Sequence, residues 1–203
     1  MINARKQDVL ADIKKLSDME CVHQSGKADA LNELTSDIQD DFFTIVVLGE
    51  FKRGKSTLVN ALLGEKILPT DVLPETATIN AIMYSETPML SVVMRDGTEE
   101  YGEVSEQFLK KFSARNPQAL AEQVKYIKIG YPADILQQNV VIVDTPGVSD
   151  INEQRCEVTH RFLPKANAIL FLLDANSPLK KTEKDFIDQH LLPLGIDHIL
   201  FLA

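Results

Sequence analysis

Eight consecutive residues, Gly49-Glu50-Phe51-Lys52-Arg53-Gly54-Lys55-Ser56, follow the pattern G-x-x-x-x-G-K-[ST]. Each fixed place has a chemical reason. Glycines let the backbone turn tightly enough for successive N–H groups to point at phosphate oxygens. A helix starting where the loop ends adds its positive N-terminal pole. Lys55 reaches the β- and γ-phosphates of a nucleoside triphosphate, and the Ser56 hydroxyl ligates Mg2+. All eight residues, with Thr57 after them, are candidates for nucleotide contact.

A second element is Asp144-Thr145-Pro146-Gly147, which follows the apolar run VVIV. An aspartate at the end of such a strand holds Mg2+ directly or through water. The D-x-x-G spacing also brings the Gly147 amide toward the γ-phosphate. Alone, the tetrapeptide reads equally well as a plain β-turn. A third element is a hydroxyl that senses the γ-phosphate through the metal. The stretch Pro69-Thr70-Asp71-Val72-Leu73-Pro74-Glu75-Thr76-Ala77-Thr78 holds three threonines. Thr76 is the choice, since it follows a rigid proline and precedes a strand. The expected metal set is Ser56, Thr76 and Asp144, and the expected catalytic set is Lys52, Lys55 and Thr76.

The elements that must position these residues can be read around them. Phe42–Leu48 is a short apolar run ended by Gly49, a buried parallel strand. Ser56–Leu63 is a helix with Gly64 as its C-terminal cap. Thr78–Tyr84 and Leu90–Arg95 read as paired strands, the second ended by a turn at Asp96-Gly97. Further strands are expected at 124–131, 139–143, 168–173 and 199–202, and helices at 105–114, 152–163 and 183–192. Strands alternating with helices give an α/β sheet. Residues 1–41 read differently. Val9, Ile13, Leu16 and Met19 form one narrow helical stripe, and Leu31, Leu34 and Ile38 form another, with Gly26 between them. Narrow stripes suit packing against other helices.

The totals bound the remaining choices. A chain of 203 residues, 44% hydrophobic and 25% charged, is an ordinary globular composition. The formal net charge of −9 argues against bulk attraction to nucleic acid, and no nucleic-acid partner is expected. Cys21 and Cys156 are isolated, so neither a disulfide framework nor a zinc site is indicated. No apolar run approaches the ~20 residues of a membrane-spanning helix.

The stretches GEFKRGKSTLVNALLGEKILPTDVLPETATINAI, VDTPGVSD and AILFLLDANSPL resemble the GTPase domain of bacterial dynamin-like proteins, within the dynamin superfamily. The resemblance covers roughly residues 42–203. It implies a P-loop NTPase fold, a three-layer α/β/α domain, preceded by neck helices in residues 1–41. It also implies GTP as substrate, GDP as product and Mg2+ as cofactor. GTP-loaded domains are expected to dimerise face to face, and a membrane-binding stalk to lie outside this segment. A cytoplasmic setting at the inner face of a membrane follows. The Asn/Thr-Lys-x-Asp motif that reads guanine is expected beyond Ala203, so guanine specificity rests on the resemblance alone.

Two departures bear on chemistry. Dynamins proper carry Gln-Ser where this chain has Phe51-Lys52. A cation at the second of these places resembles the finger arginine of guanylate-binding proteins, and Lys52 is expected to compensate charge in the transition state. Arg53 is expected to serve the dimer face, and Phe51 either that face or the switch loop. The position after Gly147 is Val148, not the glutamine that orients water in Ras-like enzymes. Two further readings stay open: a nucleotide-gated scaffold with little hydrolysis, and a ribosome-assembly GTPase, which would need a basic RNA-binding surface elsewhere.

Overall fold

A computed structural model describes residues 2–19, 31, 35, 42–70, 78–110, 123–148, 161–196 and 198–203. Thr76, the bend at Gly26, most of the second helical stripe, and most of the helix expected at 152–163 lie outside them. The chain divides into two compact units, Met1–Phe42 and Phe43–Ala203. No described helix is long and apolar enough to cross a membrane.

In the first unit, α1 (Ile2–Ser17) buries Ile13, while Val9, Leu16 and Met19 stay about half exposed. The less exposed line runs Leu10, Ile13, Ser17. The +3, +4 spacing makes these one helix face, turned by one residue from the expected stripe.

The second unit is one eight-stranded sheet in the order β4-β3-β5-β2-β6-β1-β7-β8. Its strands are β1 (Phe43–Gly49), β2 (Asn80–Tyr84), β3 (Met89–Met94), β4 (Glu99–Gly102), β5 (Val124–Tyr131), β6 (Val140–Asp144), β7 (Ala168–Leu172) and β8 (Ile199–Leu202). The central strands are rich in Val and Ile because both of their faces are covered. With a side-chain period of two, Val46 and Leu48 enter one core and Val47 the other. On the Val47 side, α2 (Lys55–Leu63) contributes Val59 and Leu63. On the Val46 side, Phe186 of α4 (Lys181–Phe186) packs with Phe171 of β7. A short α3 (Glu106–Lys110) adds Leu109 to the first core. The result is a helix–sheet–helix arrangement.

The expected pairing of Thr78–Tyr84 with Leu90–Arg95 is corrected by the structure. β5 lies between them, parallel to β2 and antiparallel to β3. β3 instead forms a hairpin with β4. Glu99 accepts hydrogen bonds from Ser91 Oγ (2.7 Å) and Lys128 Nζ (3.1 Å) across this part of the sheet. The helix expected at 183–192 is also not uniform. It passes from α4 into a wider turn, Ile187–Leu191, and a tighter one, Leu192–Leu194, before Gly195 at φ 62°.

Three features of this frame aim at one place. β1 pairs in parallel with β6 and β7, so their C-terminal ends converge. β2 runs antiparallel to β6, which sets its first residue, Asn80, opposite Asp144. Buried Asn60 of α2 donates to the Leu68 carbonyl (2.8 Å) and accepts from the Ile67 and Leu68 amides (3.0 and 2.8 Å). It thereby fixes the segment that leads toward Thr76.

Candidate nucleotide-phosphate site

The loop Glu50–Gly54 joins the C-terminal end of β1 to the first turn of α2. Its conformation explains its glycines. Gly49 has φ 146°, and a Cβ there would sit 2.6 Å from the Leu172 carbonyl oxygen of β7. Gly54 closes the loop at φ 79° and ψ 22°. Lys52 is also left-handed, at φ 61°, a conformation that costs a non-glycine residue about 1–2 kcal/mol. Such reversals turn consecutive amides inward and form an anion-binding nest. Gly49→Ala is therefore expected to destabilise the protein by about 2–4 kcal/mol, read as a fall in thermal midpoint of several degrees. An unchanged midpoint would show that β7 yields freely to the added methyl group.

Lys55 is buried, and its Nζ donates to the carbonyls of Gly49 (3.0 Å) and Glu50 (2.9 Å). The ammonium thus sits across the loop it follows. Ser56 Oγ donates to Asp144 Oδ2 at 2.8 Å, which joins the first turn of α2 to the end of β6. Asp144 is fully buried, and that burial pushes its carboxyl up to about 6. The Ser56 hydrogen bond, the Lys55 charge and neighbouring Asn80 oppose the shift without cancelling it. Among the described residues Asp144 Oδ1 has no hydrogen-bond partner.

The residues after Asp144 are tied to β1. Thr145 Oγ1 donates to the Val47 carbonyl (2.7 Å), and the Val148 amide to the Gly49 carbonyl (3.2 Å). Gly147 is buried between these ties. Val148 itself is buried, so the position after Gly147 presents no polar side chain. Thr57 is exposed on α2.

The four residues of the loop's outer arc divide in function. Phe51 is half-buried, and the Lys52 ammonium lies 5.4 Å from its ring centroid, a cation–π distance. Glu50 offers only its carbonyl to Lys55. Its carboxylate accepts from Thr182 and pairs with Arg53 (3.1 Å), and these contacts hold it below the usual carboxylate range. Arg53, expected to serve the dimer face, is tied to its own chain by two carboxylates. Its guanidinium also pairs with Asp174 at 3.0 Å. The reason is register. Gly49 of β1 lies opposite Leu172 of β7, so the residues just beyond each strand are neighbours. Lys180 adds longer contacts to Glu50 (3.8 Å) and Asp174 (3.6 Å).

The structure thus brings Lys55, Ser56, Asp144 and Gly147 to one end of β1 and β6. The P-loop pattern does not reveal Asp174, Lys180 and Thr182, which brace the loop, or Asn80, which faces Asp144. Asn80 had a usable signal: a polar residue within the apolar run INAIM.

A hydroxyl and a carboxylate with an unpartnered oxygen are the hard donors that Mg2+ prefers. Among the described residues no group of three or more His, Cys, Asp or Glu could cage a metal.

The Dynamin family model matches residues 45–202. The chain is 31% identical over 179 residues to a bacterial dynamin-like protein of Nostoc punctiforme, covering 83% of this chain and 25% of that protein. It is 31% identical over 188 residues to a probable transmembrane GTPase FZO-like, chloroplastic, of Arabidopsis thaliana, covering 90% and 18%. A solved structure reported as "An oligomerised bacterial dynamin pair provides a mechanism for the long range sensing and tethering of membranes" aligns with a TM-score of 0.59 and 25% identity, over 81% of this chain and 26% of that one. The chain therefore spans about a quarter or less of the length of each of these relatives.

Proposed function

Because the chain belongs to the dynamin family, matched over residues 45–202, we propose that it binds GTP with Mg2+ and hydrolyses it. On this reading GTP-loaded domains pair with one another, and the work of hydrolysis reaches membrane lipid through parts outside these 203 residues. Residues 1–41 would serve as part of a helical neck. The observation that carries the proposal is the convergence of Lys55, Ser56 and Asp144 where β1 and β6 end.

Each residue has a task. The nest of amides and the N-terminal turn of α2 bind phosphate oxygens. Lys55 exchanges the carbonyls of Gly49 and Glu50 for the β- and γ-phosphates. Ser56 and Asp144 hold Mg2+, with Thr76 as the third protein group; bound there, the cation neutralises charge on the phosphate oxygens. The brace of Glu50, Arg53, Asp174 and Thr182 keeps the arc rigid, so little reorganisation is needed when charge develops.

Val148 cannot orient the attacking water. Basal turnover should therefore be slow and should rise with protein concentration as dimerisation orders further groups. A specific activity independent of concentration would remove dimerisation from the mechanism. Buried Val148 also favours a second reading, a nucleotide-gated scaffold with little hydrolysis. Single-turnover measurement separates the two.

Lys52, exposed at the tip of the arc, is the candidate for transition-state charge compensation. Lys52→Ala should lower kcat about tenfold or more with GTP affinity nearly unchanged, the pattern of a contact made only in the transition state. Unchanged turnover would remove that role.

A further inference from the structure

Among the described residues, two buried oxygens in the phosphate site lack a hydrogen-bond partner: Oδ1 of Asp144 and Oδ1 of Asn80. Asn80 is 3% exposed and Asp144 0%. The two residues are directly opposed in the antiparallel pairing of β2 with β6. Side chains so opposed leave the same face of a sheet, with Cβ atoms about 5 Å apart. The neighbours of Asn80 along the chain, Ile79, Ala81 and Ile82, are buried and apolar. A polar group in such a row is costly unless something satisfies it.

The Asn80 side chain lends the Asp144 carboxylate a hydrogen bond, yet the two oxygens left over, Asn80 Oδ1 and Asp144 Oδ1, are both acceptors and neither satisfies the other. The pair calls for one group with two donors. Water has two, and its lone pair then remains free to face a cation. Ser56, which would hold Mg2+, donates to Oδ2 of the same carboxylate, so the cation would lie one carboxylate group away from this pair. We propose that Asn80 is a positioning residue of the metal site, its side-chain oxygen accepting, together with Asp144 Oδ1, the two hydrogens of a water carried by Mg2+. This rests on the reading of the site as a Mg2+–nucleotide site. Residues that orient a metal's ligands in this way change metal affinity by about 10–100-fold when removed.

The test is the Mg2+ concentration that half-maximally slows release of a fluorescent GDP analogue. Asn80→Leu fills the space without an acceptor, and it should raise that midpoint about tenfold or more while leaving release in EDTA unchanged. Asn80→Asp keeps an acceptor and should give a midpoint at or below the parent's. A parent-like midpoint in Asn80→Leu overturns the proposal, and so does equal acceleration with and without Mg2+, which marks a structural role only. Asn80→Ser, whose hydroxyl is too short to reach, replaces Asn80→Leu in both comparisons if the leucine variant does not fold. A parent protein that binds no nucleotide, or whose release ignores Mg2+, overturns the functional reading itself.

Discussion

Replacing Lys55 with alanine should lower affinity for GTP and GDP by about 100-fold or more. The size follows from the contacts at stake. A hydrogen bond to a charged group contributes about 1.5–3 kcal/mol, and on the proposed reading the ammonium would make two with phosphate oxygens. In the structure the same ammonium is already held by the Gly49 and Glu50 carbonyls at 3.0 and 2.9 Å. It therefore needs no long movement to meet a ligand, only an exchange of neutral acceptors for charged ones. Nucleotide-free protein should be far less sensitive. Removing a buried cation relieves desolvation while it frees two carbonyls, and these effects oppose one another. Titration with a fluorescent nucleotide reads the first effect and thermal unfolding the second. Lys55→Arg is not a rescue, because a planar guanidinium cannot occupy the compact place of an ammonium across the loop. Parent-like affinity in the alanine variant would show that the loop does not bind phosphate through Lys55.

The parts of this site most easily read from residues alone are those where one local signal carries the information. The P-loop is such a case. Each of its fixed residues answers a steric or charge demand within eight positions, and the strand and helix beside it are continuous apolar patterns. Asp144 is legible for the same reason, as a charge at the end of VVIV. Pairing is not local. Thr78–Tyr84 and Leu90–Arg95 look like a hairpin because they lie close in sequence, yet β5 separates them. Alternation shows which side chains are buried, and β5 buries them on both faces. It does not show which strand comes next in the sheet.

The inward turn of Arg53 is hidden for a related reason. Its partner Asp174 lies 121 residues away, and only the register of β1 on β7 makes them neighbours. Asn80 needed the antiparallel register of β2 on β6. An isolated polar residue in an apolar strand marks a place to examine, but its partner comes from the sheet. The contacts of Arg53 with Asp174 and of Asn80 with Asp144 are thus strand-end and cross-strand contacts, while Thr182 reaches Glu50 from the first turn of α4.

Asp144→Asn should make the nucleotide-free protein more stable and the loaded protein less competent. The carboxyl sits at about 6 in the folded chain against 3.8 when unfolded, chiefly because burial disfavours its charge. Below pH 3.8 it is protonated in both states and contributes nothing to the difference. Between 3.8 and about 6 the unfolded chain has lost a proton that the folded chain keeps, so stability falls as pH rises. Above about 6 the whole cost is present, and the interval is worth about 3 kcal/mol at ~1.36 kcal/mol per tenfold. Asparagine keeps an acceptor for Ser56 Oγ and carries no charge to desolvate. Its advantage in metal-free thermal unfolding should therefore be nearly full at pH 7, about half at pH 5, and absent below 3.8. Mg2+ with GDP should reverse the order, because a ligand that binds only the folded state stabilises it. The parent offers the cation an anionic oxygen, and the variant offers only an amide. Magnesium-dependent turnover in the variant should fall about 100-fold. Equal stability of the two proteins from pH 5 to 8 would show that Asp144 is not strained by burial. Retention of the parent's response to Mg2+ would remove it from the metal site. The two results are independent, so one variant separates the cost of holding a carboxylate at the end of β6 from the use to which the site puts it.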